Sequence, residues 1–383
     1  MNVHRGLGVI VGMALALALA IGPAGGQEPI KLGVVGPHTG PAAYDGLSAL
    51  VGGQVAAQEI NKAGGLLGRQ IQIVAADTRG IPAESVSAYK KVVTQDKVVA
   101  LDCCWFSSST IATHPTIEEL KIPTTNGISF LPDAKQAKLT YLFKFAHTPR
   151  LESRFVDYWV HKLGIKRVAF LARNDDWGRA ASAAYQGRLK ELGGTVLSVD
   201  YYTPGEKDFY SYLTKIKALN PEGVNVVDIS ATAATQVKQM VELGIKAVAL
   251  GSDGQITDAY IKLAGALAEG TPLVVRYTST LDTPRNKAFV AGFKAMRNGE
   301  EPDQYAQAGY DSIYLQAEAI KRAGSTDPAK IREALLKLEY TSISGSPIRF
   351  DQNQQATPKI FVAVVKGGKR VIVQEIDTSG VPY

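Results

Sequence analysis

The chain has 383 residues, of which 45% are hydrophobic and 20% charged, with a formal charge of +6. At roughly 150 residues per domain this is chain enough for two or three domains, and it is too apolar for an intrinsically disordered protein. Two cysteines, adjacent at 103 and 104, exclude a disulfide-stapled miniprotein, and the basic residues form no aromatic-interleaved tract, so no nucleic-acid partner is expected.

In chain order, residues 1–26 read as a secretory signal peptide. Arg5 gives a positive start, Leu7 to Ile21 form an uncharged apolar run, and Ala24 and Gly26 supply small residues before Gln27. The run is short for a membrane span, and no cysteine stands near the cleavage point to accept a lipid. The expectation is a mature chain that is soluble in the periplasm.

Ile30–Gly36 predicts a strand ending in a Gly/Pro turn. Leu47, Leu50, Val51 and Val55 then recur at helical spacing until Gly64-Gly65. Residues 70–77 alternate as a strand does, and a helix beginning after Pro82 buries Val86, Tyr89 and Val93. Further strands are predicted at 98–101, 167–172, 224–227 and 247–250, with helices at 208–219 and 231–243. Such alternation predicts parallel sheets covered by helices on both faces, and one sheet carrying every strand would be unusually wide. The expectation is an α/β protein of two doubly wound parallel-sheet lobes. Ligands of such sheets sit beyond the carboxyl ends of the strands. Candidate loops are therefore Pro37–Asp45, Cys103–Thr110, Asn126–Phe130, Arg173–Trp177, Asp228–Ala231 and Gly251–Gln255.

Four segments carry a family likeness: residues 34–41, the stretch Gly64–Asp77, Ser107-Ser-Ser-Thr110, and residues 205–209. In order and spacing they make the chain resemble the periplasmic substrate-binding proteins of branched-chain amino acid ABC transporters, with the type I periplasmic-binding-protein fold. The resemblance implies two lobes joined by a three-strand hinge, the first holding 27–147 and 277–347, the second 148–276 and 348–383. It implies a monomer without cofactor or metal that closes on an amino acid or related carboxylate and delivers it to a membrane permease.

Carried over residue by residue, the likeness places the ligand carboxylate on Ser107 and Ser108. A helix N-terminus has free N–H groups and partial positive charge, so the chemistry fits, although serines also cap helices in ordinary proteins. Asp253 stands at the acidic position that pairs with a ligand ammonium, against the alternative of an ordinary Asp-Gly turn. Trp177 and Tyr305 occupy aromatic positions, and Trp105 and Phe106 precede the serines. The departures are Asp45 where the family carries a tyrosine, with Tyr44 adjacent, the bulkier segment Gly127-Ile128-Ser129-Phe130, and Phe106 where a compared member carries a cysteine. Asp228 is expected to act structurally. Pocket volume and polarity are thus altered, and the alternatives are another small solute, such as an aromatic or aliphatic carboxylate or an amide, or a ligand-presenting sensor.

The five histidines show no metal-binding spacing, and neither a P-loop nor a Gly-x-Ser-x-Gly elbow occurs, so an enzyme is not expected. His38 could face Ser107 but reads as a loop residue. Cys103 and Cys104 are expected as two reduced, buried thiols, with a vicinal disulfide as the alternative.

Overall fold

The structure, a computed structural model, describes residues 28–130, 139–255 and 257–381 as well as Met1. The expected signal peptide lies outside these residues.

The chain begins β1 (Ile30–Gly36), α1 (Ala43–Lys62), β2 (Ile71–Asp77), α2 (Pro82–Thr94), β3 (Ala100–Cys103), α3 (Ser107–Leu120), β4 (Thr124–Asn126) and β5 (Leu142–Lys144). The strands form one sheet in the order β2-β1-β3-β4-β5, every pairing parallel. The third strand starts at Ala100, not Val98, because the Val98 N–H bonds Val92 O at the end of α2, 3.2 Å away. In α2, Tyr89 is buried as expected, but Val92 is the valine that goes fully inside.

The chain then crosses to a second unit: α4 (Pro149–Glu152), α5 (Phe155–His161), β6 (Arg167–Arg173), α6 (Asp176–Glu191), β7 (Thr195–Tyr202), α7 (Tyr210–Ala218), β8 (Gly223–Val227), α8 (Ser230–Glu242), β9 (Val248–Leu250), α9 (Asp258–Ala264) and β10 (Pro272–Val275). Its sheet is again parallel, in the order β7-β6-β8-β9. Continuous apolar strands such as Val168–Ala172, wholly buried, are what helices on both faces require.

A return gives α10 (Pro284–Met296), α11 (Gln304–Ala323), α12 (Pro328–Leu336) and the short pair β11 (Tyr340–Thr341) and β12 (Pro347–Ile348). Helix α11 lies so close to α1 that a Cβ on Gly52 would sit 2.0 Å from Ala306 O, and one on Gly309 2.0 Å from Ala49 O. Ile348, Phe350 and Ala356 join the core of the first sheet. Residues around Gln355 run beside β5, with Lys144 N–H donating to Gln354 O (2.9 Å) and Ala356 N–H to Lys144 O (2.8 Å).

The chain closes with β13 (Ile360–Lys366) and β14 (Lys369–Ile376), an antiparallel hairpin in which β13 also pairs with β10. Gly367 and Gly368 both take positive φ at its turn (56° and 70°), which suits the right-handed twist of the strands. Gly251 N–H donates to Pro272 O (3.1 Å), so this antiparallel addition continues from the edge of the second sheet.

Two lobes result, and they are closed on one another. Ala42, Ala49, Trp105 and Tyr305 of the first lobe share an apolar cluster with Ile229 and other residues of the second.

Candidate functional site

Parallel strands in register end together. Val35 lies beside both Ala76 and Cys103, and Asn126 beside Lys144, so the following loops gather on one edge of the first sheet. The second sheet presents its own carboxyl edge opposite. Between them lies a cleft of about 350 Å³, mouth included, lined by Trp105, Phe106, Ser107, Ile128, Ser129, Trp177, Ile229, Asp253 and Tyr305.

At the end of β3 the backbone of Cys104 turns into the left-handed region (φ 77°). Asn126 Nδ2 donates to the carbonyls of Cys103 and Cys104, the latter at 3.1 Å, and Thr110 Oγ1 donates to Cys104 O at 2.8 Å. This bend sends Trp105 and Phe106 into the cleft and starts α3 at Ser107. Cys103 and Cys104 are joined as a vicinal disulfide, which corrects the expectation of two free thiols. Neighbouring side chains of a regular strand point to opposite faces, and the left-handed turn at Cys104 removes that obstacle.

No side chain caps the N-terminus of α3. Ser107 instead accepts the Phe130 N–H through Oγ (3.3 Å), which leaves its own hydroxyl proton for an acceptor in the cleft. Pro115 lies inside α3, and the helix continues through it to Leu120. Ser108 is half-buried in the first turn and does not line the cleft.

The loop after β4 is held from behind. Asn126 Oδ1 accepts the N–H groups of Ile128 (3.2 Å) and Ser129 (3.0 Å), and Ser129 shares a hydroxyl hydrogen bond with Thr110 (2.5 Å). Two buried cations grip its carbonyls: Lys144 Nζ donates to Ser129 O and Arg276 Nη1 to Gly127 O. Burial, aided by Arg276, pushes the Lys144 ammonium down to about 7.

Aromatic walls come from both lobes. The rings of Trp105 and Tyr305 lie 4.9 Å apart, and Tyr305 is set by Asp303, whose carboxylate caps α11 through the N–H groups of Tyr305 and Ala306 (both 2.9 Å). Trp177 follows the Asp175 cap of α6 (2.8 Å to Gly178 N) and rests over Gly254, where a Cβ would lie 2.9 Å from its ring.

Asp253 brings the only carboxylate among the lining residues. Its Oδ2 lies 3.3 Å from His147 Nε2, which is also 3.5 Å from Glu152 Oε2. Glu152 Oε1 accepts from Tyr185 OH and from Asp253 N–H (3.2 Å). Burial disfavours the charged imidazole, but Asp253 and Glu152 outweigh it, and the His147 pKa is raised. Burial and the neighbouring Asp253 charge raise that of Glu152. One donor atom from each of His147, Glu152 and Asp253 falls within 4.8 Å of the others. The buried guanidinium of Arg276 acts on the same group, so the cluster is balanced as an ion-pair network of protein charges.

Seven of the ten expected site residues thus line one cleft: Phe106, Ser107, Ile128, Ser129, Trp177, Asp253 and Tyr305. Tyr44 does not; its ring stacks under Arg297 (4.7 Å) beside Glu300. Asp45 is buried against the second lobe, facing the hydroxyls of Thr257 and Ser230, and burial together with Asp303 pushes it up to about 8. His38 lies in a neighbouring cavity with Cys103 and Asn126. Asp228 is occupied structurally, accepting from Tyr202 OH, Ile229 N–H (2.7 Å) and Gln236 Nε2 (3.1 Å).

A periplasmic binding protein family profile matches residues 29–369. The chain belongs to the periplasmic binding protein family. It is 33% identical to an amino acid binding protein of Pseudomonas aeruginosa over 319 residues, covering 82% of this chain and 84% of that one. It is 27% identical to the Leu/Ile/Val-binding protein homolog 3 of Brucella melitensis, covering 84% and 87% of the two chains. Among solved structures, the branched-chain amino acid transporter substrate-binding protein LivJ of Streptococcus pneumoniae, in complex with isoleucine, superposes with a TM-score of 0.82 at 25% identity, covering 91% of this chain and all of that one.

The type I fold and the substrate-binding role of the family are therefore those the sequence resemblance implied. For a periplasmic binding protein, the carboxyl-edge cleft between lobes is the expected place for a solute. Four residues of this region escaped the sequence reading as site members: Ile229, His147, Glu152 and Arg276. Ile229 follows a recognised strand end, but the other three carry no local motif and meet only through the crossovers between lobes.

Proposed function

We propose that this periplasmic binding protein captures a small amino acid or related carboxylate in the cleft and delivers it to the permease of an ABC transporter, acting as a monomer without a catalytic step. The observation that carries this reading is the polarity of the cleft. Ser107 and the uncapped start of α3 offer donors on the first lobe, and Asp253 stands opposite on the second, with aromatic and aliphatic walls between. The names of the relatives, an amino acid binding protein and an isoleucine-bound LivJ, support it. Among the described residues no helix is long and apolar enough to cross a membrane, and residues 1–26 have the pattern of a cleaved export signal. We place the first two lobe boundaries near His147 and Tyr277, as the resemblance implied, and move the third from 347/348 to the stretch between Ala356 and Ile360, because Ile348, Phe350 and Ala356 pack in the core of the first sheet.

Thermal-shift screening of the protein from Gln27 onward against amino acids, their deaminated carboxylates, amides and polyols tests the reading. A solute at 100 times its dissociation constant stabilises the native state by about 2.7 kcal/mol. A shift with amino acids or carboxylates, accompanied by calorimetric binding at one site, is the expected result; a shift with polyols alone would reject the ligand class.

A further inference from the structure

The acidic end of the cleft already holds its own cations. Asp253 Oδ2 and Glu152 Oε2 face one imidazole nitrogen, His147 Nε2, at 3.3 and 3.5 Å. His147 is buried at the first crossover between the lobes, and its side chain is only 3% exposed. Arg276, buried at the second crossover, spends Nη1 on Gly127 O, and its Nε and Nη2 have no hydrogen-bond partner among the described residues. Its charge is therefore not quenched by a carboxylate of its own and acts on Asp253 and Glu152.

Counting charges at this pole gives two carboxylates against one guanidinium and, when His147 carries its second proton, one imidazolium. The pole is then neutral before any solute arrives. An ammonium that enters must share Asp253 with His147, in a closed site where two like charges so close repel strongly. A carboxylate that lacks the ammonium meets no such competition. It still finds the Ser107 hydroxyl and the α3 N-terminus at the other pole and the walls of Trp105, Trp177 and Tyr305 between them.

We infer that His147 is a specificity-determining residue of this cleft: its imidazolium stands where a ligand ammonium would pair with Asp253, so the site takes a small carboxylate without an α-ammonium at least as well as the matching amino acid. This deepens the proposed function and rests on its placement of the solute carboxylate at Ser107. The groups facing His147 are Asp253, Glu152 and Arg276. The nearby phenols Tyr185 and Tyr305 are held well above their ordinary range by burial and by neighbouring acids, and stay neutral. Raising the pH withdraws the proton from His147, and any proton from Glu152 as well. Both losses make the pole more negative, so relative affinity for the ammonium-bearing member of a ligand pair rises with pH.

Calorimetry with two matched pairs, L-leucine with 4-methylpentanoate and L-phenylalanine with 3-phenylpropanoate, tests this in the parent protein and in His147→Gln at pH 6 and pH 8. In the parent at pH 6 the deaminated member of the pair that fits should bind at least as tightly. In His147→Gln the affinity ratio should move towards the amino acid by about tenfold or more, and the parent should move the same way between pH 6 and pH 8. A ratio is read because a general loss of structure would weaken both members alike. Should His147→Gln fail to fold, His147→Asn is read in the same way, because Lys144, pushed down to about 7, also titrates between the two pH values and the parent's pH dependence alone would not single out His147. A parent that favours the amino acid at pH 6 by more than about tenfold, or a ratio unmoved by substitution and pH, overturns the inference while leaving the proposed function standing. Failure of all four compounds to bind overturns the carboxylate reading of the cleft itself, and this inference with it.

Discussion

The guanidinium of Arg173 lies 5.2 Å from the centre of the Phe106 ring, and the two residues come from opposite lobes. Arg173 ends β6 and is anchored by Asp175 (2.6 Å), while Phe106 closes the bend before α3 and lines the cleft. The contact exists only when the lobes are together. A cation over an aromatic face contributes about 0.5–2 kcal/mol. Replacing Phe106 by Leu keeps an apolar lining but removes the ring face, so the closed state should lose part of its advantage. Phe106→Leu should weaken the solute identified by thermal shift by roughly three- to tenfold in calorimetry. Unchanged affinity would show that this contact does not help hold the lobes closed.

Ser107 accepts the Phe130 N–H and keeps its hydroxyl proton for the cleft. A hydrogen bond to a charged group contributes about 1.5–3 kcal/mol. Ser107→Ala should therefore weaken carboxylate solutes by roughly ten- to a hundredfold, and the corresponding amides by less. If carboxylate and amide lose affinity equally, the serine is supporting the loop through Phe130 and not holding the carboxylate.

Asp45 supplies a pH prediction. Its folded pKa, about 8, lies above the ordinary carboxylate value of 3.8, chiefly through burial and then through the charge of Asp303. The folded protein thus holds a proton that the unfolded chain releases between about pH 4 and pH 8, so this group lowers stability as pH rises through that window. Asp45→Asn removes the ionisation. The variant should melt higher than the parent at pH 8, with the gap closing towards pH 4. A gap that is constant with pH, or that widens in acid, would contradict the buried, protonated aspartate.

The disulfide between Cys103 and Cys104 makes a simple count decisive. Protein denatured without reductant should show no free thiols, and two after reduction. Two thiols before reduction would restore the reduced pair expected from the sequence.

Much of the fold was legible because it rests on short-range patterns. Apolar runs at Ile30–Gly36, Val168–Ala172 and Val224–Val227 are strands buried on both faces, and glycines and prolines mark their ends. The loop positions followed from one rule about parallel sheets, which is why Ser107, Ile128, Ser129, Trp177 and Asp253 meet in one cleft. The terminal hairpin was not read, since Ile360–Lys366 alone cannot reveal an antiparallel partner, although Gly367-Gly368 is a turn signal in hindsight.

By itself the sequence determined the two α/β lobes, the carboxyl-edge loops that meet in one cleft and the family, because periodicity, turn chemistry and motif spacing are local. Only tertiary structure decided which acids are free and which are paired. Tyr44 was drawn away to Arg297, and Asp45 was buried against Ser230 and Thr257 of the other lobe. His147, Glu152, Asp253 and Arg276 stand on separate stretches of chain and meet where the lobes join. A charge changes its chemistry with burial and with neighbours a few ångströms away, and neither is a property of the residues beside it in sequence.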